Sequence, residues 1–209
     1  MRSFIPIVAL AALMVAAPAA DAGCGGVQAA GSKRNLTKGP EPLAIGDSVM
    51  LLAVNPLARA GFNVNAQGCR QWSQGHAMLR RKKRQGRLPR LVVMALGTNW
   101  YITRDEIGRT RRLLGRKHVL AIVTPRDPGG SGDAKRIRAA GRAHPRRIKV
   151  LDWVRFSRGH GSWFGGDGIH LTYTGVTKYV RCLRRALPFA AGPRASASAR
   201  RHPCASRRG

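Results

Sequence analysis

Three short motifs, placed far apart along the 209-residue chain, carry side chains able to move an acyl group: Gly46-Asp47-Ser48, Gly97-Thr98-Asn99 and Asp167-Gly168-Ile169-His170. A serine hydroxyl is a weak nucleophile until a base takes its proton, and an imidazole such as that of His170 can serve as that base. Asp167 lies three residues before His170. That spacing lets its carboxylate reach Nδ1 while Nε2 faces the site, which fixes the tautomer and stabilises the imidazolium. Asn99 offers a side-chain N–H to an oxyanion, a donor of a kind that contributes on the order of 3 kcal/mol to the transition state. Each motif also has a plain structural reading: Asp47-Ser48 as a helix N-cap, Asn99 as a turn residue, Asp167 as the cap of the final helix. Asp167 and His170, with His160, could instead ligate a metal, but a convincing third and fourth ligand is lacking, so neither metal nor cofactor is expected.

These residues act together only if the elements before them end at one place. The runs Leu91–Leu96 and Val119–Val123 are continuously apolar, as strands buried on both faces are. Shorter strands are predicted over 42–46, 62–66 and 148–151. Helices are predicted over 48–60 (restarted after a bend by Pro56), 71–85, 105–116, 132–144 and 173–187. Strands alternating with helices at this spacing predict an α/β fold, a parallel sheet of about five strands covered on both faces. Ser48 then follows a buried strand and opens a helix, at the carboxyl edge where such sheets bind ligands. The free N–H groups of a helix start are placed to receive an oxyanion on an acyl group attached to Ser48.

Arg2 followed by the apolar run from Ile5 to Ala17, with Ala20-Asp21-Ala22 after it, reads as an export signal over residues 1–22. Retention as a membrane anchor is the alternative; after cleavage no stable membrane span is expected. Residues 23–41 read as a flexible lead-in, 42–190 as one domain, and 191–209 as a basic, disordered tail. The four cysteines, Cys24, Cys69, Cys182 and Cys204, favour disulfides in an exported chain, with Cys24–Cys69 and Cys182–Cys204 the expected pairing.

With 38 Lys and Arg against 9 Asp and Glu, the formal net charge is +29. It reads either as a solvated surface or as attraction to an anionic cell-wall polymer. Nucleic acid is the poorer partner, because no basic motif interleaved with aromatics occurs.

The stretches 43–51, Gly68-Cys69-Arg70-Gln71, 95–99 and 167–172 resemble, in order, the sequence blocks of the SGNH (GDSL-type) hydrolases. Within that family they are most similar to the extracytoplasmic SGNH domain of peptidoglycan O-acetyltransferases. The likeness runs from Pro42 to Leu187, with Val49 and Cys69 departing from the widest family pattern. It implies a flavodoxin-like three-layer α/β/α domain and serine ester chemistry without a metal. By matching position it implies Ser48 as nucleophile, His170 and Asp167 completing the triad, and an oxyanion hole from the Ser48 N–H, Gly68 and Asn99.

The expected function is a secreted serine esterase that removes short acyl groups, acetyl first among them, from a glycan or other wall-associated polymer. The alternatives are an O-acetyltransferase with the same triad and a sugar acceptor, and a non-catalytic basic wall-binding protein. Trp100, Tyr101, Trp153, Trp163 and Phe164 fall near the site-bearing loops as candidates for stacking on a sugar ring, core packing being their default.

Overall fold

The computed structural model describes residues 24–127 and 130–191. Among these residues six strands form one sheet: β1 (Val27–Ala30), β2 (Leu43–Gly46), β3 (Asn63–Gln67), β4 (Leu91–Ala95), β5 (Val119–Val123) and β6 (Ile148–Leu151). Their spatial order is β1-β3-β2-β4-β5-β6, with all neighbours parallel except β1, which runs antiparallel along the edge of β3. The helices are α1 (Val54–Ala60), α2 (Trp72–Arg84), α3 (Arg104–Leu114), α4 (Asp133–Ala143), α5 (Trp153–Phe156) and α6 (Tyr173–Leu183).

Two apolar layers sandwich the sheet. Alternate residues Ala44, Val64, Val93 and Ala121 face α1, α6 and the 3-10 segment Arg184–Phe189. Residues of the opposite parity, Leu43, Ile45, Val92, Met94 and Ile122, face Leu79 of α2, Ile107 of α3 and Ile137 of α4. Period-two alternation buried on both sides is what made β4 and β5 read as unbroken apolar runs.

The predicted helix over 48–60 divides. Ser48–Ala53 is a 3-10 helix, and α1 follows it with Pro56 in its first turn, where a proline ring costs no backbone hydrogen bond. The larger departure is at the N-terminal side. Residues 23–41 were expected as a flexible lead-in, yet Val27–Ala30 pairs with Gln67 through Val64 as a sixth strand. A disulfide between Cys24 and Cys69 fastens its approach. Three of the strand's four residues are exposed, so no burial pattern announces it; main-chain pairing at the sheet edge holds it. The expected signal (1–22), most of the expected tail (192–209) and the Cys204 end of the second expected disulfide lie outside the described residues. Among the described residues no helix is long and apolar enough to cross a membrane.

Candidate active site

The chain leaves β2, passes to β3 on one side, and then crosses to β4 on the other. The order therefore reverses at β2, and a crevice opens at the carboxyl ends of these strands. Ser48 follows β2, Gly68 follows β3, and Gly97-Thr98-Asn99 follows β4, so three distant segments meet at one edge. His170 arrives there from the loop between the 3-10 turn Gly161–Trp163 and α6.

The side chains connect in series. Ser48 Oγ lies 2.9 Å from His170 Nε2, and His170 Nδ1 lies 2.5 Å from Asp167 Oδ2. The other Asp167 oxygen accepts the backbone N–H of Ile169 at 2.8 Å and of His170 at 2.9 Å. The imidazole contact first, and then these two donors, hold the Asp167 carboxyl down at about 2. Asp167 is thus ionised at any pH where imidazole chemistry operates, and Nδ1 must carry its proton toward it. A serine hydroxyl on the other ring nitrogen, with Nε2 free to accept, is the arrangement that lets a proton leave the serine as it attacks a carbonyl.

The loop that presents His170 is fixed by its own main chain. Gly165 N–H donates to His170 O at 2.8 Å, Gly168 N–H to Gly165 O at 2.9 Å, and Thr172 N–H to Trp163 O at 3.0 Å. The Thr172 hydroxyl accepts from Gly175 N–H and caps α6. Gly175 has to lack a side chain, since a Cβ there would stand 1.9 Å from the Trp163 carbonyl oxygen.

The Ser48 turn is held from beneath. Asp47, only 1% exposed, accepts the Val49 N–H through Oδ1 at 3.1 Å and the Thr98 N–H through Oδ2 at 3.4 Å. It ties the Ser48 turn to the β4 loop. Burial pushes its carboxyl up to about 6 against the pull of those two donors. Asn99 Nδ2 is buried at the same edge and has no hydrogen-bond partner among the described residues. An unpaired buried N–H is costly unless something completes it, so this donor suits a group that arrives from outside. Gly68 reaches the edge in the turn after β3, where a Cβ would stand 1.8 Å from the Cys24 carbonyl oxygen. Ser48, His170 and Asp167 touch in series; neither Gly68 nor Asn99 hydrogen-bonds to any of them.

Sequence reasoning assigned no role to Arg70. Its guanidinium is 3% exposed and spans the two strand ends, donating to Gly46 O at 3.0 Å, Asn65 O at 2.7 Å, Asn65 Oδ1 at 2.6 Å and Gln67 Oε1 at 3.2 Å. The available signal was an arginine standing alone at a strand end, apart from the basic clusters. The five candidate aromatics divide. Trp163 and Phe164 are core and pack with Tyr179 around the buried Trp153, whereas Trp100 and Tyr101 are 60% and 51% exposed directly after Asn99, with rings 5.3 Å apart. His160 stacks on Trp163 at 3.9 Å, and no cluster of three or more His, Cys, Asp or Glu able to hold a metal occurs among the described residues.

The fold has counterparts in solved structures. The C-terminal catalytic domain of Streptococcus pneumoniae peptidoglycan O-acetyltransferase A, solved with a methylsulfonyl adduct, superposes with a TM-score of 0.64 at 24% identity, over 73% of this chain and 94% of that one. An Enterococcus faecalis lipase/acylhydrolase superposes at 0.54 with 18% identity, over 69% of this chain and 93% of that one. A Slackia heliotrinireducens SGNH hydrolase also superposes, at 0.54 with 14% identity, over 72% of this chain and all of that one. In sequence, O-acetyltransferase OatA of Staphylococcus aureus is 31% identical over 153 residues, 71% of this chain and 25% of the relative.

The chain has the SGNH hydrolase fold.

The chain is also homologous to the Listeria monocytogenes peptidoglycan O-acetyltransferase OatA, at 29% identity over 68% of the chain and 23% of that relative. It spans about a quarter of the length of the curated relatives it matches. No protein-family model matches it.

Proposed function

We propose that this SGNH domain transfers acetyl groups through an acetyl-enzyme on Ser48, passing them to a hydroxyl of a peptidoglycan-type glycan. The observation that carries the reading is the series Ser48 Oγ–His170–Asp167, with contacts of 2.9 Å and 2.5 Å. Ser48 Oγ attacks the acetyl carbonyl of the donor while His170 Nε2 takes its proton. The Ser48 N–H, the Gly68 N–H and Asn99 Nδ2 receive the oxyanion. Collapse expels the donor alkoxide, which leaves with the proton from His170. In the second half His170 takes the proton of a sugar hydroxyl, whose oxygen attacks the acetyl-enzyme and releases Ser48. The names of the relatives support the glycan acceptor, as do the exposed Trp100 and Tyr101 rings beside Asn99, apolar faces of the kind that stack on sugars. The Cys24–Cys69 disulfide suits work outside the cytoplasm.

Hydrolysis is the second reading, and one observation favours it: the side chains of His170 and Asp167 are 50% and 46% exposed. Water therefore reaches the acetyl-enzyme unless an acceptor covers it. The two outcomes share every step up to the acceptor.

A fluorophosphonate probe should label the wild-type protein once, at Ser48, and fail to label Ser48→Ala. His170→Ala should lower turnover of an acetyl ester by at least about 10³-fold. Product analysis with glycan fragments present separates acetylated sugar from free acetate. Labelling that persists in Ser48→Ala, or a wild-type protein that neither labels nor turns over, would overturn acyl transfer and leave a binding protein on a hydrolase fold.

A further inference from the structure

The sheet is not covered evenly. On the face that carries α2, strands β3 and β1 project past the helix, and β3 turns Asn63, Asn65 and Gln67 to that side where β2 and β4 turn Leu43, Ile45, Val92 and Met94. A cavity of about 550 Å³ lies in this gap, floored by Asn63, Asn65 and Leu43 and walled by Arg81, Lys82 and Arg87. Its lining contains no acidic residue.

The hydrogen bonds inside it are one-sided. Asn63 Oδ1 already accepts the Ser32 N–H at 2.9 Å, and Asn65 Oδ1 already accepts from Arg70 at 2.6 Å. Both partners are donors, so each carboxamide must present its oxygen to the protein and its NH2 to the cavity. Neither NH2, nor the charged end of Arg81, Lys82 or Arg87, has a partner among the described residues. The cavity thus offers two amide donors and three cations and lacks a carboxylate. A ligand that fills it must supply acceptors and negative charge.

We propose that this groove binds the oxyanion groups, phosphodiester or carboxylate, of a linear hydroxyl-bearing wall polymer. Guanidinium groups pair with either oxyanion in a fork, and the amide NH2 groups take neighbouring ester or hydroxyl oxygens. Nucleic acid fits less well, because no aromatic ring lines the groove to stack on a base. Leu43 opens β2 at the groove, and Ser48 stands just beyond the other end of the same strand. At the ~3.3 Å rise of a strand residue the two sites lie about 16 Å apart. A polymer held here keeps the Ser48 edge close to the wall. The binding itself stands apart from the acyl-transfer reading.

The test is affinity of the oxidised protein for a poly(glycerol phosphate), a polyuronate and a single-stranded DNA of similar charge. It compares the triple variant Arg81→Ala, Lys82→Ala, Arg87→Ala with a triple of equal charge loss elsewhere, Arg116→Ala, Arg142→Ala, Arg146→Ala. All six side chains are solvent-facing except the half-buried Lys82, so both triples should fold. The groove triple should weaken binding of one of the first two polymers tenfold or more, and the control triple less than threefold at the same salt. Whichever polymer responds identifies phosphate or carboxylate as the source. Asn63→Asp, which keeps the acceptor for Ser32 and adds a charge to the floor, should also weaken binding. Equal losses from the two triples, a wild-type preference for DNA, or Asn63→Asp binding like wild type would overturn the groove. Measuring binding in Ser48→Ala as well as wild type keeps a failed turnover assay separate from a failed groove.

Discussion

Asp47 and Asp167 are two carboxylates of one site in opposite environments. Asp167 sits half in water under two backbone donors and an imidazole, and is held at about 2. Asp47 is sealed beneath the Ser48 turn and is pushed up to about 6. The consequences for stability have opposite signs. Asp167 binds its proton more weakly folded than unfolded, so its contribution is present above its ordinary 3.8 and is lost as pH falls toward about 2. Asp47 binds its proton more tightly folded, so its contribution is present below 3.8 and is lost as pH rises to about 6. Melting temperature measured across pH 4 to 7 should therefore contain a falling component in wild type that is absent from Asp47→Asn. Parallel curves for the two proteins would contradict the buried charge. The Asp167–His170 pair was legible in the sequence because its geometry is local, three residues apart. Arg70 was not, because its value lies in a carbonyl 24 residues away.

At the scale of elements, β1 and its disulfide decide how firmly the Gly68 turn is held. Cys69 takes a left-handed φ of 54°, a conformation that costs a non-glycine residue about 1–2 kcal/mol and persists because its surroundings impose it. Gly68 packs against the Cys24 carbonyl immediately beside it. Closing a loop of 45 residues removes about 4 kcal/mol of unfolded-state entropy in the chain-entropy description. The double variant Cys24→Ser, Cys69→Ser should lose about 2–4 kcal/mol in denaturant unfolding and should also acylate Ser48 more slowly if Gly68 belongs to the proposed oxyanion hole. Loss of stability with an unchanged acylation rate would remove Gly68 from the proposed hole. The central strands were readable as apolar runs. The edge strand was not, since its four residues are held by main-chain pairing and carry no burial pattern.

At the scale of the molecule, a net charge of +29 over 209 residues works against compactness through self-repulsion. The described residues contain few acidic partners to offset it. Arg138 pairs with the buried Asp152, Arg136 with the buried Asp133, and Arg109 and Arg112 share the exposed Asp105. Raising salt from very low concentration to about 0.15 M, where the screening length is ~8 Å, should raise the melting temperature. A flat melting temperature over that range would mean that the charges lie too far apart to matter, and a falling one that the ion pairs outweigh the repulsion.

The loop 163–172 has a further consequence. It closes on itself through main-chain bonds and holds both His170 and the Asp167 carboxylate that orients it. In the proposed mechanism the proton-transfer pair is therefore a cassette, exchangeable as the ten residues from Trp163 to Thr172. Insertions or substitutions in the loops after β3 and β4 can reshape what the crevice accepts while that cassette passes unchanged from one substrate to the next.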